Sequence, residues 1–330
     1  MNEIKEVIGA INRCRRFLIT AHINLEGDSI GSQLAIRELL NAMGKTAFII
    51  DSDPVPAHYK FLPKANEISN KIDKKMDYDA AVVVDCPTLK RTGKVAELIS
   101  KNKNKVVINI DHHVSNERFG DVNWVDPNAS SAGELVFKLF KETGKRLTKE
   151  TALNLYIAIL TDTGSFNYDN TSSLTHEIAG ELLGYGLEPA AVSESVYERR
   201  SIGDIKLLGL VLSTIKLNNR GDVAYLELTN DVLKKTGADA AKSEGFVNYA
   251  RSIDKVKVAV LFREEPKEGG RIHVSLRSKG SVDVNRIASS FGGGGHARAS
   301  GCVVEGTLVE VEKSVLSKIE ERLRGRHTGR

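Results

Sequence analysis

The sequence predicts an α/β protein with two domains: an amino-terminal domain built on a parallel sheet, and a smaller carboxy-terminal α/β domain with a mixed sheet. Continuous apolar runs alternate with helical stretches in the first half, which is typical of a parallel sheet covered on both faces. From Asp222 onward the strand patterns alternate between apolar and polar residues, as in mixed or antiparallel sheets. The chain has 330 residues, 41% of them hydrophobic, which is enough for two cores.

The predicted elements of the first half follow one another as strand and helix, after an amphipathic helix at the amino terminus. Apolar runs predict strands at Phe17–Ala21, Ala47–Ile50, Ala80–Val84 and Val106–Ile110. Helical patterns lie at about Ile30–Met43, Val95–Ser100, Ala132–Glu142, Thr151–Leu160 and Ser173–Gly184. Ligands of such sheets gather beyond the carboxyl ends of the strands, so functional residues are expected there.

The pattern of the second half predicts alternating strands with fewer helices. The strands are predicted at Asp222–Leu228, Lys257–Arg263, Arg271–Leu276 and Ala299–Glu305, and the helices at Asp283–Phe291 and Val311–Leu323. We therefore predict a catalytic domain at 1–188, a helical linker at 189–204 and a substrate-binding domain at 205–330. The active-site cleft is expected between the two domains.

Composition excludes several classes of protein. The net charge of +4 is compatible with an anionic substrate and does not by itself indicate a protein that coats nucleic acid, and 6% aromatic residues argue against a long base-stacking channel. No window reaches the roughly 18 to 20 apolar residues of a membrane span, and arginines interrupt the amino terminus where a signal peptide would be apolar. Cys14, Cys86 and Cys302 are too scattered for a disulfide framework. We expect a cytoplasmic protein that binds neither membranes nor long duplexes.

Metal-type ligands occur at four predicted strand or helix ends. His22 follows the first strand, and Glu26 and Asp28 lie in the loop before the next helix. The other candidates are Asp85, Asp111, His112, His113 and Asp162. A single strand-end carboxylate is usually explained as a turn cap. Four such places at one predicted rim indicate a metal site instead.

The ligand types narrow the choice of metal. Carboxylates and imidazoles without thiolates favour Mn²⁺, Mg²⁺, Fe²⁺ or Co²⁺ over a structural zinc ion. The carboxylates are numerous enough to hold two cations about 3.5–4 Å apart with one aspartate as a bridge, an arrangement that promotes phosphoryl displacement. We expect two divalent cations, with Mn²⁺ first and Mg²⁺ or Co²⁺ as alternatives. A single cation surrounded by further carboxylates is the other interpretation of the same residues.

A glycine run near the carboxy terminus predicts a phosphate-binding segment. It lies between a predicted helix and a predicted strand, inside a folded domain, and a histidine follows it at once. Glycines allow backbone N–H groups to converge on an anion, which a bare linker would not require. The candidate substrate-binding residues are Arg277, Ser278, Gly293, Gly294, Gly295 and His296, with Arg91 and Asn116 in the first domain.

These motifs together resemble a known enzyme family. The chain is similar to the DHH phosphoesterase superfamily in Asp111-His112-His113, in the preceding His22-x-x-x-Glu26-x-Asp28 and Asp85, and in the following Asp162. The segment from Phe291 to Gly301 resembles the glycine-rich motif of the DHH-associated C-terminal domain, which family II inorganic pyrophosphatases lack. The resemblance spans nearly the whole chain. It favours the branch of oligoribonucleases and 3′-phosphoadenosine 5′-phosphate phosphatases over the longer RecJ-type exonucleases.

The resemblance implies a role for each candidate ligand. One cation would be held by His22, Glu26 and Asp85, and a second by Asp28, Asp85, His112 and Asp162, with Asp85 as the bridge. Asp111 would orient His112, and His113 would assist the charge or the leaving oxygen of the scissile phosphate. Glu26 departs from the family, in which this position is normally Asp. We expect activity to be retained, with an altered affinity for the metal.

Three functional hypotheses follow from the sequence. The leading one is hydrolysis of short oligoribonucleotides to mononucleotides, together with hydrolysis of 3′-phosphoadenosine 5′-phosphate. The second is a phosphodiesterase of cyclic di-AMP. The third is a nucleotide-binding protein whose metal site is impaired by Glu26. The expected partners are short RNA or small nucleotides, and a homodimer is a further expectation.

Overall fold

The computed structural model describes residues 3–73, 76–102, 104–238, 240–243, 245–265 and 270–324. The chain divides into two compact units, Met1–Arg199 and Arg200–Arg330. Of the predicted linker 189–204, the helix Pro189–Tyr197 belongs to the first unit, where Val192 packs in the core. The next helix, Ile202–Leu212, belongs to the second unit, and its Leu207 and Val211 pack there.

The first unit is organised around a parallel sheet, as predicted. Within the described residues the strands are β1 (Arg16–Thr20), β2 (Thr46–Ile50), β3 (Ile68–Ser69), β4 (Ala80–Val84), β5 (Val106–Asp111) and β6 (Val122–Val125). Their order is β3-β2-β1-β4-β5-β6, and every pairing is parallel. The order reverses between β1 and β4, and a crevice forms at the carboxyl ends of strands at such a reversal.

Helices cover this sheet and carry further residues to its carboxyl edge. They are α1 (Glu3–Arg13), α2 (Gly27–Ala42), α3 (Lys94–Lys101), α4 (Ala132–Thr143), α5 (Lys149–Asp162), α6 (Ser173–Leu183) and α7 (Pro189–Tyr197). Helix α2 packs so closely on α5 that position 31 requires glycine. A Cβ atom at Gly31 would lie 2.3 Å from the carbonyl oxygen of Asn154. A Cβ at Gly27 would lie 2.4 Å from Thr161 Oγ1, so the start of α2 meets the end of α5. This close approach is what brings Asp28 and Asp162 to the same place.

The second unit has the predicted mixed sheet. Its described strands are β7 (Lys216–Leu217), β8 (Val223–Leu228), β9 (Val258–Glu264), β10 (Arg271–Ser278), β11 (Gly294–His296) and β12 (Ala299–Glu305). Its helices are α8 (Ile202–Leu212), α9 (Asn230–Thr236), α10 (Phe246–Ser252), α11 (Asn285–Ser289) and α12 (Leu308–Arg324). The strand order is β11-β12-β10-β9-β8-β7, with β8 and β9 parallel and the other pairs antiparallel.

Successive side chains of strand β10 alternate between the buried and the half-buried face of the second sheet. Ile272, Val274 and Leu276 point into a core that includes α12, while the intervening residues are only half-buried. The half-buried positions therefore offer polar side chains on the other face. No described helix is both long and apolar enough to cross a membrane. Cys14, Cys86 and Cys302 are buried free thiols.

Candidate active site

The candidate metal ligands of the first unit converge at the carboxyl edge of the parallel sheet. His22 follows β1, Asp85 follows β4, and Asp111 ends β5 ahead of the two histidines. Asp28 lies in the first turn of α2, and Asp162 is the last residue of α5. The strands β1 and β4 are the pair at which the strand order reverses, so the fold itself provides the crevice.

Asp85 lies between two imidazoles. Its Oδ2 is 3.2 Å from His22 Nε2, and its Oδ1 is 3.5 Å from His112 Nε2. Asp85 has a φ of +51°, a left-handed conformation that is uncommon outside glycine and that short polar residues tolerate best. This turn directs the carboxylate across the ends of the strands. The side chain is buried, with 5% of its surface exposed, so its charge must be matched by neighbouring groups.

His112 is surrounded by carboxylates. Its Nε2 lies 3.7 Å from Asp28 Oδ2, 3.5 Å from Asp85 Oδ1 and 3.7 Å from Asp162 Oδ2. Ligand atoms of Asp28, His112 and Asp162 lie within 4.8 Å of one another. A second grouping with the same spacing contains Asp85, Asp111, His112 and His113. Distances of 3.5–3.7 Å lie at the upper limit of a hydrogen bond or beyond it and leave room for a cation among these ligand atoms.

Other groups hold these carboxylates in place. Asp28 Oδ2 accepts the backbone N–H of Ala132 at 2.7 Å, and its Oδ1 accepts that of Gly133 at 2.9 Å. The positive end of helix α4 therefore faces Asp28. Asp162 accepts a hydrogen bond from Asn170 Nδ2 at 3.2 Å, and the same amide donates to the carbonyl oxygens of Asp162 and Ser130.

The pKa shifts within the cluster show that its carboxylates outweigh its positive charge. Burial, followed by the charges of Asp85 and Asp162, raises the pKa of Asp28 well above its usual range. Burial raises the pKa of Asp162 to about 6 despite the opposing charge of His112. Burial lowers the pKa of His112, but the charge of Asp162 and the hydrogen bond to Asp85 outweigh it and raise that pKa strongly.

Two further shifts centre on Asp85. Burial acts to raise the pKa of Asp85, yet hydrogen bonds from His112 and His22 hold it well below its usual range. Burial acts to lower the pKa of His22, but Asp85 outweighs this and raises it to about 9. The raised pKa values of His22 and His112 favour the protonated forms of these two rings, whose positive charge balances the carboxylates. Divalent cations would supply that balance with higher charge, so the residues fit the mixed carboxylate and imidazole site that the sequence predicts.

Asp111 is committed to the second histidine of its motif. Its Oδ1 lies 2.7 Å from His113 Nδ1 and accepts the backbone N–H of His112 at 2.8 Å. The ring of His112 is held differently, because its Nδ1 lies 3.3 Å from the carbonyl oxygen of Ala129. The resemblance implied that Asp111 orients His112. In this structure its side chain contacts the ring of His113, and the two histidines meet edge to face.

Glu26 lies at the margin of the cluster. It is the N-cap residue of α2, its side chain is exposed, and its backbone N–H donates to Ser29 Oγ at 2.8 Å. Its negative charge contributes to the raised pKa values of His22 and Asp162, so it is electrostatically close to both. Among the described residues, the compact groupings of three or more ligand atoms include neither Glu26 nor His22. The role of Glu26 as a ligand stays a prediction.

The two substrate-binding candidates of the first unit have different surroundings. Arg91 lies in the short helical turn Leu89–Thr92. Its backbone carbonyl oxygen accepts a hydrogen bond from the N–H of Ile23 at 2.7 Å. The positive charge of its side chain acts to lower the pKa of His22, against the larger effect of Asp85. The guanidinium group is therefore electrostatically close to the cluster. Asn116, in contrast, donates its amide hydrogens to protein acceptors, among them Asp111 Oδ2 at 2.5 Å.

Sequence reasoning missed three polar residues that support the cluster. Asp51 follows β2 and accepts Thr20 Oγ1–H and the N–H of Ala21, both at 3.1 Å, which fixes the chain just before His22. Burial raises the pKa of Asp51 to about 6. Asn109 and Asn170 were also missed. Asp51 directly follows a predicted apolar strand, as Asp85 does, so the same pattern in the sequence could have identified it. A single asparagine gives no comparable indication of a role at the site.

In the second unit, two of the predicted substrate-binding residues share one face of the sheet. The register pairs Arg277 with Ala299, and Ala299 with His296, so the three side chains form one row across β10, β12 and β11. Arg277 Nη1 donates to the carbonyl oxygen of Leu276 at 3.1 Å, but its buried Nε has no hydrogen-bond partner within the described part of the chain. A buried guanidinium N–H without a partner indicates a missing acceptor such as a phosphate oxygen.

Ser278 lies on the opposite face of the sheet from Arg277. Its hydroxyl donates to the carbonyl oxygen of Val282 at 2.6 Å, and only 2% of the residue is exposed. Its backbone N–H donates to the carbonyl oxygen of Arg298 at 3.1 Å. These contacts stabilise the turn after β10. The hydroxyl is therefore occupied inside the unit, whatever Arg277 binds on the other face.

The glycine run contains positions with different requirements. At Gly293 a Cβ atom would lie 2.2 Å from the carbonyl oxygen of Gly301 and 2.5 Å from Cys302 Cβ, because β11 starts against β12. At Gly294 the nearest atom to such a Cβ would be Asn285 Oδ1, at 3.8 Å. Gly293 is therefore required by backbone packing. Gly294 has space at its Cα for an approaching ligand.

We expect Gly293→Ala to lower the free energy of unfolding by about 1–3 kcal/mol, since the added methyl group overpacks the β11–β12 pair. Gly294→Ala should change it by less than about 0.5 kcal/mol, because the added methyl group would meet no atom closer than 3.8 Å. Chemical denaturation of both full-length variants checks this. Equal stabilities would show that the close approach at Gly293 is relieved by a small backbone shift.

Comparison with known proteins gives a consistent result. The family model "DHH family, N-terminal domain" matches residues 16–159, and the "DHHA1 domain" model matches residues 221–325. The bifunctional oligoribonuclease and PAP phosphatase NrnA of Thermus thermophilus is 33% identical over 98% of this chain and 94% of its own. The Bacillus subtilis protein of the same name is 30% identical over 91% and 92% of the two chains. An exopolyphosphatase-related protein from Bacteroides fragilis superposes with a TM-score of 0.88 at 31% identity, over 97% and 96% of the chains.

Proposed function

Because the chain belongs to the DHH family of phosphoesterases and carries a DHHA1 domain, we propose that it hydrolyses short oligoribonucleotides to mononucleotides and 3′-phosphoadenosine 5′-phosphate to AMP. The named relatives are hydrolases of phosphoester bonds, and the groupings of aspartate and histidine in this chain could hold metal ions. The relatives named as oligoribonuclease and PAP phosphatase match nearly the full length of the chain, which supports this choice of substrates. Neither of these two relatives is named for hydrolysis of a cyclic dinucleotide.

The observation that carries the proposal is the convergence of carboxylates on His112 and of imidazoles on Asp85 at the carboxyl edge of the parallel sheet. We propose that these residues hold two divalent cations, with Mn²⁺ first and Mg²⁺ or Co²⁺ as alternatives. Asp85 is suited to the bridging position because its two oxygens face different histidines. When bound, the cations supply positive charge for the phosphate oxygens and activate water.

The protein's own residues bind and orient the substrate. We propose that His113, held by Asp111, assists the departing oxygen and that the charge of Arg91 adds to the positive field around the phosphate. In the second unit, Arg277 and His296 share a face with Gly294 nearby, and we propose that they bind the phosphate or the sugar of the nucleotide. The small number of aromatic residues favours short substrates over long single strands.

Incubation of the full-length protein with a linear diadenosine dinucleotide and Mn²⁺ tests the proposal. We expect release of AMP, loss of activity with EDTA, and recovery when Mn²⁺ is added in excess. Parallel reactions with 3′-phosphoadenosine 5′-phosphate and with cyclic di-AMP compare the alternatives under the same conditions. Absence of mononucleotide from the linear dinucleotide, with an active control enzyme present, would contradict the proposal.

Glu26→Asp separates an adapted metal site from an impaired one. We propose that the wild-type protein is active and that Glu26→Asp mainly changes the Mn²⁺ concentration required for half-maximal rate. An impaired site would instead bind nucleotides without turnover by the wild-type protein. The homodimer predicted from the sequence stays a prediction, and the mass of the protein in solution tests it.

A further inference from the structure

A chain of side-chain amides lies beneath the reactive end of the candidate site, and no proposed ligand set includes it. Asn116 Nδ2 donates to Asp111 Oδ2 at 2.5 Å and to Asn109 Oδ1 at 2.8 Å. Asn109 lies inside strand β5 and is fully buried. Its own Nδ2 donates to the carbonyl oxygens of Val83 and Cys86, both at 3.2 Å. These contacts join the ends of β4 and β5 through side chains.

The orientation of the Asn116 amide is fixed by a backbone donor. Asn116 Oδ1 accepts the N–H of Arg118 at 2.6 Å, and a backbone nitrogen can only donate. The other end of the amide must therefore be the NH₂ group, and it faces Asp111. An amide in the reverse orientation would place its oxygen against Asp111 Oδ2 and its NH₂ group against the N–H of Arg118, so that neither end could form a hydrogen bond.

Asp111 depends on Asn116 for one of its two oxygens. Its Oδ1 is used by His113 Nδ1 and by the backbone N–H of His112, whereas its Oδ2 receives Asn116 Nδ2. Asp111 has no exposed surface, so solvent does not replace a lost donor readily. Without Asn116 the carboxylate can rotate, and the ring of His113 would lose the group that fixes its orientation.

The same amides also hold the turn at Asp85. Cys86 O accepts from Asn109 Nδ2 at 3.2 Å and from Asn116 Nδ2 at 3.3 Å, while Val83 O accepts from Asn109. Asp85 lies between these two carbonyl groups, in its left-handed conformation. The amide pair therefore connects the turn that directs Asp85 with the carboxylate that directs His113.

We propose that Asn116, supported by Asn109, is a positioning residue that holds Asp111 and, through it, the ring of His113 in the orientation required for hydrolysis. This inference rests on the proposed phosphoesterase function for its kinetic part. Asn116 acts inside the protein, and its main contribution reaches the substrate through Asp111 and His113, since its contact with Cys86 O is the longest of its three donor contacts. A direct substrate contact by the same residue predicts a different kinetic result.

Asn116→Ala and Asn116→Asp test the proposal in the full-length protein. Both remove the donor to Asp111, and the aspartate keeps the volume of the side chain. We expect kcat for the linear dinucleotide to fall by about 10- to 100-fold, as for other residues that orient metal-site ligands, with KM changed by less than about threefold. Asn123→Ala is the matched control. Asn123 pairs with Asn109 in the sheet and bonds only with Gly120 among the described residues, so its loss should leave kcat within about twofold of the wild type.

A second measurement does not require turnover. Proton–nitrogen spectra of the metal-free protein report whether the His113 ring proton stays on Nδ1 and hydrogen-bonded. We expect a slowly exchanging Nδ1–H signal in the wild type and in Asn123→Ala, and its loss or broadening in both Asn116 variants. An inactive wild type would overturn the proposed function and leave this measurement to decide the positioning role.

Any one of four results would overturn the inference. A raised KM with unchanged kcat would make Asn116 a substrate contact. Wild-type kinetics in both Asn116 variants, or an unchanged His113 signal, would show that Asp111 is held by its other donors. An equal fall in kcat for Asn123→Ala, measured at a temperature where all variants are folded, would assign the effect to general loss of stability.

Discussion

Asp85→Asn is expected to lower kcat for the linear dinucleotide by at least about 10³-fold, the largest effect of any single substitution in the site. The carboxylate lies between His22 and His112, and one oxygen faces each ring. Asparagine keeps the shape of the side chain and tolerates the left-handed backbone at this position. It removes the negative charge that is shared by the two halves of the site. Initial rates over a range of Mn²⁺ concentrations measure the effect.

Asp79→Asn is the matched control for this variant. Asp79 precedes the same strand, β4, and accepts the backbone N–H groups of Arg15 and Arg16 at the amino edge of the sheet. It should leave kcat within about twofold of the wild type, with at most a small loss of stability. Calorimetric titration with Mn²⁺ should show weakened binding for Asp85→Asn alone. Full activity of Asp85→Asn would remove Asp85 from the bridging position.

How much of the first unit could be predicted from sequence depends on how clear the apolar pattern of each strand is. Runs such as Ala80–Val84 are apolar throughout because both faces of the sheet are covered, and they were found almost to the residue. Strand β3 has two residues and β6 has four with a polar asparagine among them, so neither carries a readable pattern. Their positions depend on pairing with strands already present.

The glycine run shows a different limit of sequence reasoning. Glycine weakens a strand in isolation, and the sequence analysis predicts a phosphate-binding segment here without a strand. In the structure Gly294–His296 forms strand β11 because it pairs with β12. The tertiary pairing decides the conformation here. The same pairing then explains why Gly293 must be glycine, a requirement of packing that composition does not show.

The composition of the metal cluster was predictable, and its supporting hydrogen bonds were not. Carboxylates and histidines at strand ends are recognisable because the chemistry needs those residue types at that edge. Asn109 and Asn116 use ordinary amides whose partners are chosen by distance in the folded chain. The sequence analysis predicts Asn116 as a substrate contact. Its actual partners, Asp111 and Cys86, could be identified only from coordinates.

Arg277→Ala is expected to lower kcat/KM for the dinucleotide by about 10- to 100-fold, the range for loss of a hydrogen bond between charged groups. Arg277 is half-buried and its Nε–H has no partner within the described residues, a state that costs free energy unless an acceptor arrives with the substrate. Arg277→Lys should recover only part of the loss, because a single ammonium group does not reproduce the planar set of guanidinium donors. Steady-state kinetics with the linear dinucleotide measure both variants.

Arg271→Ala provides the comparison, because Arg271 lies on the same face at the other end of strand β10, beside Glu265. A loss confined to Arg277 would show that the second unit contributes a phosphate or sugar contact of its own. Equal kinetics for Arg277→Ala and the wild type would mean that the unpartnered Nε–H is satisfied by solvent. Since Ser278 is turned into the core, the binding face would then be left with His296 and the open backbone at Gly294 as its candidates.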